Sequence, residues 1–556
     1  MVDIMTHFKW RRDECALFLH VVKTTMSCHG AKMLMVMVLV SYALTSLSPY
    51  LNGQFVDMLV YGQDMHSIYI LAFAIALLGI ISAVFSYFAK MLQTSVLNLS
   101  YFSFLKEIVS DFQHLPLTDI ESTSPLYSAQ KINSDTSSIT SFVVINMIPL
   151  FMNAITMIAV FLLIASLDLS ICTVGITLLG AYCIMVLMLQ PSLLVASFQK
   201  KEEDGFLFSS IASRIARTFE IKLLAGYDSS FEHVEKQFDV AYYPSVLALA
   251  KVQSIVSSSD RMAAAGFQAV LLLVSGARIA TGAMTIGEFT MINSYYSLLM
   301  SCGKYYIGVF QSLQETRASI ARLNEIKARK RDYRNCLAVN NVGRIQVLDL
   351  DFSLIRDEEL VDITCGVNLQ FDVGRTYVIT GPNGVGKSTL LKLLLGFYEH
   401  ANDNIEYDCT KLTAINLDRV RSECFSAMQQ TAFVPGDTVE DYLHEYGISY
   451  ELMASFLKEC GFEPIDKIRW EKCSNLSGGE LQRLRLAMAL CRKADFVILD
   501  EPTNDLDGSA CGCLIEYIKQ NKRGQAFLIV SHDSRLLDVA DHILVMSGEG
   551  AIELAK

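Results

Sequence analysis

Residues 381–389 read Gly-Pro-Asn-Gly-Val-Gly-Lys-Ser-Thr, a spacing suited to holding a polyphosphate. Gly384 and Gly386 permit positive φ, so successive backbone N–H groups can wrap phosphate oxygens. Lys387 brings a point charge to the β- and γ-phosphates, and the Ser388 hydroxyl is placed to ligate Mg²⁺. The flanks agree with this chemistry. Thr376–Thr380 reads as a short buried strand, and 390–395 as an apolar helix whose N-terminus near Lys387 points at the phosphates.

Two further constellations follow. Phe496-Val-Ile-Leu-Asp-Glu501 is a buried strand ending in paired carboxylates. Asp500 is expected to hold Mg²⁺ through water, and Glu501 to polarise an attacking water as general base. Leu528-Ile-Val-Ser-His532 is another strand, ending in a histidine that can hydrogen-bond the γ-phosphate and orient the water. Cys511 and Cys513 form a C-x-C pair, but nothing nearby completes a zinc set.

The elements that must position these groups differ sharply along the 556 residues. Hydrophobic residues make up 52% of the chain and the mean hydropathy is +0.35, too apolar for an ordinary soluble enzyme. Five apolar segments, approximately 31–59, 68–89, 141–167, 169–190 and 262–283, and a more polar sixth at 288–312, are each near the ~20 residues that cross a bilayer. Residues 70–87 hold no charge and no amphipathic stripe, which argues against the buried helices of a soluble protein. Short loops at 61–67 and 166–169 carry no Lys or Arg, and 277–287 carries only Arg278. The long connections carry Lys106, Lys131, Lys200, Lys201, Arg214, Arg217, Lys222, Lys236 and Lys251. This bias puts the long connections and both termini in the cytosol.

The connections near 90–140 and 191–261 show helical spacing, so the helices are expected to run on into the cytosol and turn near 120–126 and 224–229. A short helix at each tip could transmit motion. Lys304, inside the last segment, either snorkels to the inner leaflet or faces a central cavity. Asp260 and Arg261 are expected to pair with each other. The run around residues 327–334 is a charged linker. A net charge of −12 argues against nucleic acid as a partner, and the 14 cysteines are expected to be reduced.

With these motifs in view, the chain resembles an ATP-binding cassette (ABC) half-transporter of the exporter type. The resemblance rests on Walker A (381–389), Walker B (Phe496–Asp500), the signature Leu476-Ser-Gly-Gly-Glu480, the D-loop Asn504-Asp-Leu-Asp507, Gln430 as the Q-loop, and His532 as the switch histidine. In the membrane half, Leu115-Pro116 and Thr285-Ile-Gly-Glu-Phe289 are similar to exporter sequences.

The resemblance implies a multidomain membrane protein: an all-α six-helix transmembrane domain followed by an α/β P-loop NTPase domain with a helical subdomain. The expected bounds are an N-terminal segment at 1–30, the transmembrane domain at 31–326, a linker at 327–341 and the nucleotide-binding domain at 342–556. The N-terminal segment is too short for a fused peptidase, so leader cleavage is not expected of this chain.

The cofactors implied are ATP and Mg²⁺. Catalysis falls to Glu501, His532 and Lys387. Nucleotide contacts fall to Gly381, Pro382, Asn383, Gly384, Val385, Gly386, Lys387, Ser388, Thr389, Gln430, Leu476, Ser477, Gly478, Gly479, Glu480 and Asp507. Metal contacts fall to Ser388, Gln430 and Asp500. Leu354 stands where the family places an adenine-stacking aromatic, with Phe352 two residues earlier.

In the family, ATP sits between Walker A of one subunit and the signature of the other, so a second half-transporter is implied, identical or different. The partners are thus the lipid bilayer, that second subunit and an unidentified substrate. The expected place is the inner (cytoplasmic) membrane, multi-pass, with the ATPase domain cytosolic. Function is expected to be ATP-driven export of a peptide, lipid-like molecule or drug. Import by an exporter-like fold stays open, and a non-transporting cassette ATPase is disfavoured by the apolar spans. The short interval from Gln430 to Leu476 implies a trimmed helical subdomain.

Overall fold

The computed structural model describes residues 12–62, 65–121, 125–225, 227–329, 337–356, 359–398, 401–429, 438–459, 469–547 and 552–554. The chain divides into two compact units. One comprises Met1–Leu115 and Ile120–Lys330, the other Pro116–Asp119 and Arg331–Lys556.

The first unit is helical throughout its described residues. After Arg12–Ser27 come Ala31–Tyr61 and Met65–Gln113, then Pro125–Ser141 continuing through a π-helical turn at Phe142–Asn146 into Met147–Leu167. Leu169–Ala216 follows, then Tyr227–Gln237 continuing through a second π-helical turn at Phe238–Tyr242 into Tyr243–Ala280, and finally Ile286–Arg329. Met65–Gln113 has 49 residues. At 1.5 Å per residue such a helix reaches about 73 Å, more than twice a hydrocarbon core of ~30 Å.

Among the described residues, four helical stretches are long and apolar enough to cross a membrane: Ala31–Tyr61, Met65–Gln113, Tyr127–Leu167 and Phe231–Ala280. Phe73, Ile80, Leu162 and Leu273 stand out from their surfaces. Side chains of that kind in such number are stable against lipid, not water. Leu169–Ala216 is apolar over its Ile171–Tyr182 part. Ile286–Arg329 falls short of the same apolarity, as its Ser, Asn and Tyr content leads one to expect.

The C-terminal end of Ala31–Tyr61 and the N-terminal end of Ile286–Arg329 are tied together. Asp57 accepts from Gly287 N at 2.7 Å and from Thr285 Oγ1 at 2.8 Å. A Cβ on Gly287 would lie 2.3 Å from Gly53 O, so only glycine allows this approach. Thr285 and Glu288 close a capping box, with Thr285 N donating to Glu288 Oε2 and Glu288 N to Thr285 Oγ1. The Thr-Ile-Gly-Glu run is therefore a helix-start device.

One expectation about this unit is corrected. Asp260 does not pair with Arg261. It accepts from Tyr182 Oη and lies 3.6 Å from Lys304 Nζ, while Arg261 Nε donates to Ser257 O. Neighbours in a helix point about 100° apart, so side chains at i and i+1 do not face each other. The first tip helix, Leu117–Glu121, falls largely before the expected turn at 120–126, of which 122–124 lie outside the described residues. The second tip has the helix Thr218–Leu224 ending in left-handed Ala225 at φ 49°.

The second unit is an α/β fold with two sheets. β1 (Arg344–Arg356), β2 (Glu359–Asp372), β4 (Ile405–Tyr407) and β5 (Thr410–Lys411) form an antiparallel sheet ordered β2-β1-β4-β5. β3 (Thr376–Thr380), β6 (Phe425–Met428), β7 (Phe496–Asp500), β8 (Ala526–Val530), β9 (His542–Met546) and β10 (Ile552–Leu554) form a sheet ordered β10-β9-β3-β8-β7-β6, parallel except for β10.

The central strands β3, β7 and β8 are buried along almost their whole length because both faces are covered. Tyr377, Ile379, Phe496, Ile498, Leu528 and Val530 join one core; Val378, Val497, Leu499, Phe527 and Ile529 join the other. The second core includes residues of the helices Val439–Glu445, Tyr450–Glu459 and Gly478–Cys491.

Candidate functional site

The parallel order β3-β8-β7 brings three strand ends together, and ligands of open α/β sheets bind beyond such carboxyl ends. From β3 the chain enters the loop 381–389. Gly381 has φ 146°, and a Cβ there would lie 2.4 Å from Met546 O. Gly386, at φ 106°, precedes the helix Lys387–Leu394, and a Cβ on it would lie 2.7 Å from Ile363 Cγ2. Lys387 is buried, and its Nζ donates to Gly381 O at 2.7 Å and Pro382 O at 3.1 Å. The loop thus curls round its own lysine. Beside it lies a cavity of about 350 Å³ bounded by Asn383, Gly384, Ser388, Thr389, Asp500 and Glu501, among others.

Asp500 closes β7 and is buried. Burial pushes its carboxyl up, against a Ser388 hydrogen bond and the Lys387 charge that pull it down. Its Oδ1 is buried with no hydrogen-bond partner among the described residues. Such an orphaned oxygen costs free energy unless a cation or donor meets it. With the Ser388 hydroxyl beside it, the donor set is all oxygen and suits Mg²⁺.

Glu501 adopts the left-handed region at φ 49°. Its N–H donates to Val530 O at 2.9 Å, and its carbonyl accepts from Asn504 N at 3.3 Å and Gln482 Nε2 at 3.3 Å. Burial raises its carboxyl above the ordinary glutamate range, partly offset by His532 and Lys387. His532 Nε2 lies 3.9 Å from Glu501 Oε1 and 3.1 Å from Lys387 Nζ; its Nδ1 is 3.3 Å from Thr380 Oγ1. An ammonium only donates, so Nε2 accepts and the imidazole proton is assigned to Nδ1, toward Thr380. Lys387, Ser388, Asp500, Glu501 and His532 therefore converge on one cavity edge.

The signature residues go elsewhere. Among the described residues, 476–480 do not border this cavity. Ser477 caps the helix Gly478–Cys491 in a capping box, with Glu480 Oε2 accepting from Ser477 N at 2.8 Å and Oγ at 2.6 Å. The Ser477 hydroxyl, then its backbone N–H, hold the Glu480 carboxyl below its usual range. Gly478 and Gly479 open that helix beside Asp505, and Leu476 leads into it. Asp507 caps the next helix, Gly508–Asn521, accepting from Ala510 N at 2.7 Å. Its other carboxylate oxygen lies 3.8 Å from Arg483 Nη1.

Gln430 lies outside the described residues, as does the side chain of Leu354, whose backbone belongs to β1. Among the described residues no cluster of His, Cys, Asp and Glu is arranged to hold a metal, and Cys511 and Cys513 are free thiols. Gln482 and Thr380 touch the site but were not among the sequence candidates. Gln482 gives a faint signal, a polar residue in the otherwise core-facing register of an apolar helix.

Comparisons with known proteins agree with this geometry. The ABC transporter transmembrane region matches residues 33–302, and the ABC transporter family matches 365–504. The microcin-J25 export ATP-binding/permease protein McjD of Escherichia coli is 27% identical over 286 residues, 49% of this chain and 48% of its own. The glutathione/L-cysteine transport system ATP-binding/permease protein CydC of Escherichia coli K12 is 29% identical over 255 residues, 44% of each. These alignments span under half of the relatives' own lengths.

A solved bacterial Atm1-family ABC exporter with ATP bound superposes with a TM-score of 0.82 over 95% of this chain and 94% of that one, at 18% identity, a likeness of fold. With a phosphate loop, paired strand-end carboxylates and membrane-length helices in one polypeptide, the chain belongs to the ABC transporters, as a half-transporter with a helical transmembrane domain fused to a nucleotide-binding domain.

Proposed function

We propose that this chain is one half of an ATP-driven exporter, with both termini and the nucleotide-binding domain on the cytosolic side of the cytoplasmic membrane. The observation that carries the reading is the convergence of Lys387, Ser388, Asp500, Glu501 and His532 on one cavity, in a chain that also has membrane-length helices. Two such domains sandwich ATP. The loop 381–389 of each takes the phosphates, and Ser477 with the Gly478 and Gly479 amides of its partner meets the γ-phosphate at a helix N-terminus. Every hydrolytic position is filled, so an identical partner or a sister chain both suit this arrangement.

Within each site Lys387 neutralises phosphate charge, and Glu501 takes a proton from the attacking water. His532 accepts from the attacking water through Nε2 once Lys387 turns to the nucleotide, and so orients that water toward the γ-phosphate. Ser388 and Asp500 would hold Mg²⁺, with Gln430 as the further ligand that the family resemblance assigns. The ion when bound would supply charge neutralisation to the phosphates. ATP contacts made in only one arrangement of the pair are what shift the pair toward it.

The raised Glu501 carboxyl has a pH consequence. A base must be ionised to act. Turnover is therefore expected to be complete well above its pKa and to fall as pH drops through it, with the acid limb of kcat above the ordinary glutamate value of about 4.3. A pH–rate profile of the reconstituted protein checks this; an acid limb at or below that value removes Glu501 as base.

Transport itself is tested with inside-out vesicles. ATP-dependent uptake of a peptide, lipid-like or drug probe supports export. Stimulation of the ATPase only from the opposite face would instead indicate import. Lys304, half-exposed and tied to Asp260, provides a sharper probe of cargo. Lys304→Ala is expected to change cargo-stimulated ATPase more than unstimulated ATPase; equal changes in both would assign Lys304 to the packing of the helices.

A further inference from the structure

We propose that Gln482 is a positioning residue that joins the two nucleotide sites, by tying the signature helix of one chain to the backbone of that chain's own catalytic glutamate. This deepens the function proposed above and rests on its two-subunit arrangement.

Three contacts fasten the first turns of the helix Gly478–Cys491 to the turn 501–507. A Cβ on Gly479 would stand 3.0 Å from Asp505 O, so the turn lies directly against the helix start. Gln482 Nε2 donates to Glu501 O at 3.3 Å and reaches Pro502 O at 3.5 Å. Arg483 Nη1 lies 3.8 Å from Asp507 Oδ2 at the rim. Residues 479, 482 and 483 share one face of the helix by their i, i+3, i+4 spacing. Gln482 is the buried member, at 6% exposure.

The target of that amide is unusual. Glu501 holds a left-handed backbone that glycine adopts freely and residues with a Cβ take only rarely. Such a conformation persists only where its surroundings over-determine it. Val530 O fixes the Glu501 N–H, and two donors, Asn504 N and Gln482 Nε2, fix its carbonyl. Asn504 belongs to the same turn. Gln482 is the donor that arrives from a different element, and that element is the one whose N-terminus faces the opposite nucleotide in the proposed pair. A shift of the signature helix on meeting that γ-phosphate therefore reaches the Glu501 carbonyl through one hydrogen bond. The base of one site is set by the occupancy of the other.

The test uses full-length protein in lipid nanodiscs, with whichever partner the wild type requires. Gln482→Met keeps length and loses the donor. Gln482→Glu keeps shape but points a carboxylate at two carbonyl oxygens. Steady-state ATPase gives kcat, KM and the Hill coefficient for ATP, and a fluorescent ATP analogue gives binding.

Both variants are expected to lose at least about tenfold in kcat, since an ångström of misplacement costs on the order of a hundredfold. KM and analogue binding should stay within about twofold, because no phosphate contact is removed. The Hill coefficient should move toward one. Gln482→Glu should also recover relative to wild type as pH is lowered, when its carboxyl gains a proton to donate.

A kcat within about twofold of wild type in both variants overturns the proposal. So does a parallel loss of kcat, ATP binding and melting temperature in both, which would make Gln482 a packing residue. If wild-type protein itself hydrolyses no ATP, the transporter reading fails and takes this proposal with it; if wild type is active and the variants match it, only the coupling fails.

Discussion

Glu501→Gln is expected to abolish steady-state ATP hydrolysis while leaving ATP bound. Removing a general base costs on the order of 10²–10⁴ in rate, and the substitution deletes only that function. Its backbone anchors, Val530 O, Asn504 N and Gln482 Nε2, do not depend on the carboxylate. The sign of the stability effect separates chemistry from damage. Burial raises the Glu501 pKa, so its ionised form is disfavoured in the fold and a neutral amide is at least as well tolerated. The variant should therefore melt no lower than wild type at neutral pH. It should also accumulate as a closed pair in ATP, visible as increased dimer by crosslinking or light scattering. Turnover within tenfold of wild type would remove Glu501 from its role.

The second large effect belongs to Lys387→Ala. Here binding itself should fail. The ammonium donates to Gly381 O and Pro382 O and contacts His532 Nε2. Its loss strips the loop of an internal strut as well as the phosphates of a charge. Charge-assisted hydrogen bonds contribute about 1.5–3 kcal/mol each. Affinity for ATP should then fall by roughly one to two orders of magnitude, with hydrolysis lost in step. Calorimetric titration with ATP distinguishes the two variants: Glu501→Gln retains a heat of binding, and Lys387→Ala does not at the same concentrations. Undiminished binding by Lys387→Ala would break the assignment of the loop.

The contrast between these two substitutions also marks what was legible in the sequence. Phosphate chemistry demands particular residue types at fixed local spacing, so residues 381–389, Asp500, Glu501 and His532 could be recognised one segment at a time. The strand order β3-β8-β7 then does the rest, because adjacent parallel strands deliver their carboxyl ends to one edge. The alternating helices and loops of the membrane half were legible for a similar reason: twenty apolar residues in a row admit few alternatives.

What escaped the sequence depends on contacts between distant segments. The Gln482–Glu501 bond requires knowing that one helix lies across a particular turn. The Asp260–Lys304 pair requires the rotation of two long helices, which periodicity in a nearly uniform apolar stretch does not fix. The π-helical turns at Phe142–Asn146 and Phe238–Tyr242 have no residue signature at all. Asp507 fits a loop motif by type and position, and that it also caps a helix N-terminus needed the fold to be seen.

The junction of Gly53, Asp57 and Gly287 carries a mechanical corollary. It holds one extremity of Ile286–Arg329, a rod of 44 residues and about 66 Å, through the Asp57 carboxylate on the Gly287 N–H. A fulcrum placed there turns small angles into large excursions: a swing of about 5° displaces the far extremity by about 6 Å, roughly one helical turn. Leverage of this kind needs no bending of the rod, and a bulkier residue at Gly287 would dislodge the pivot while leaving every nucleotide contact untouched.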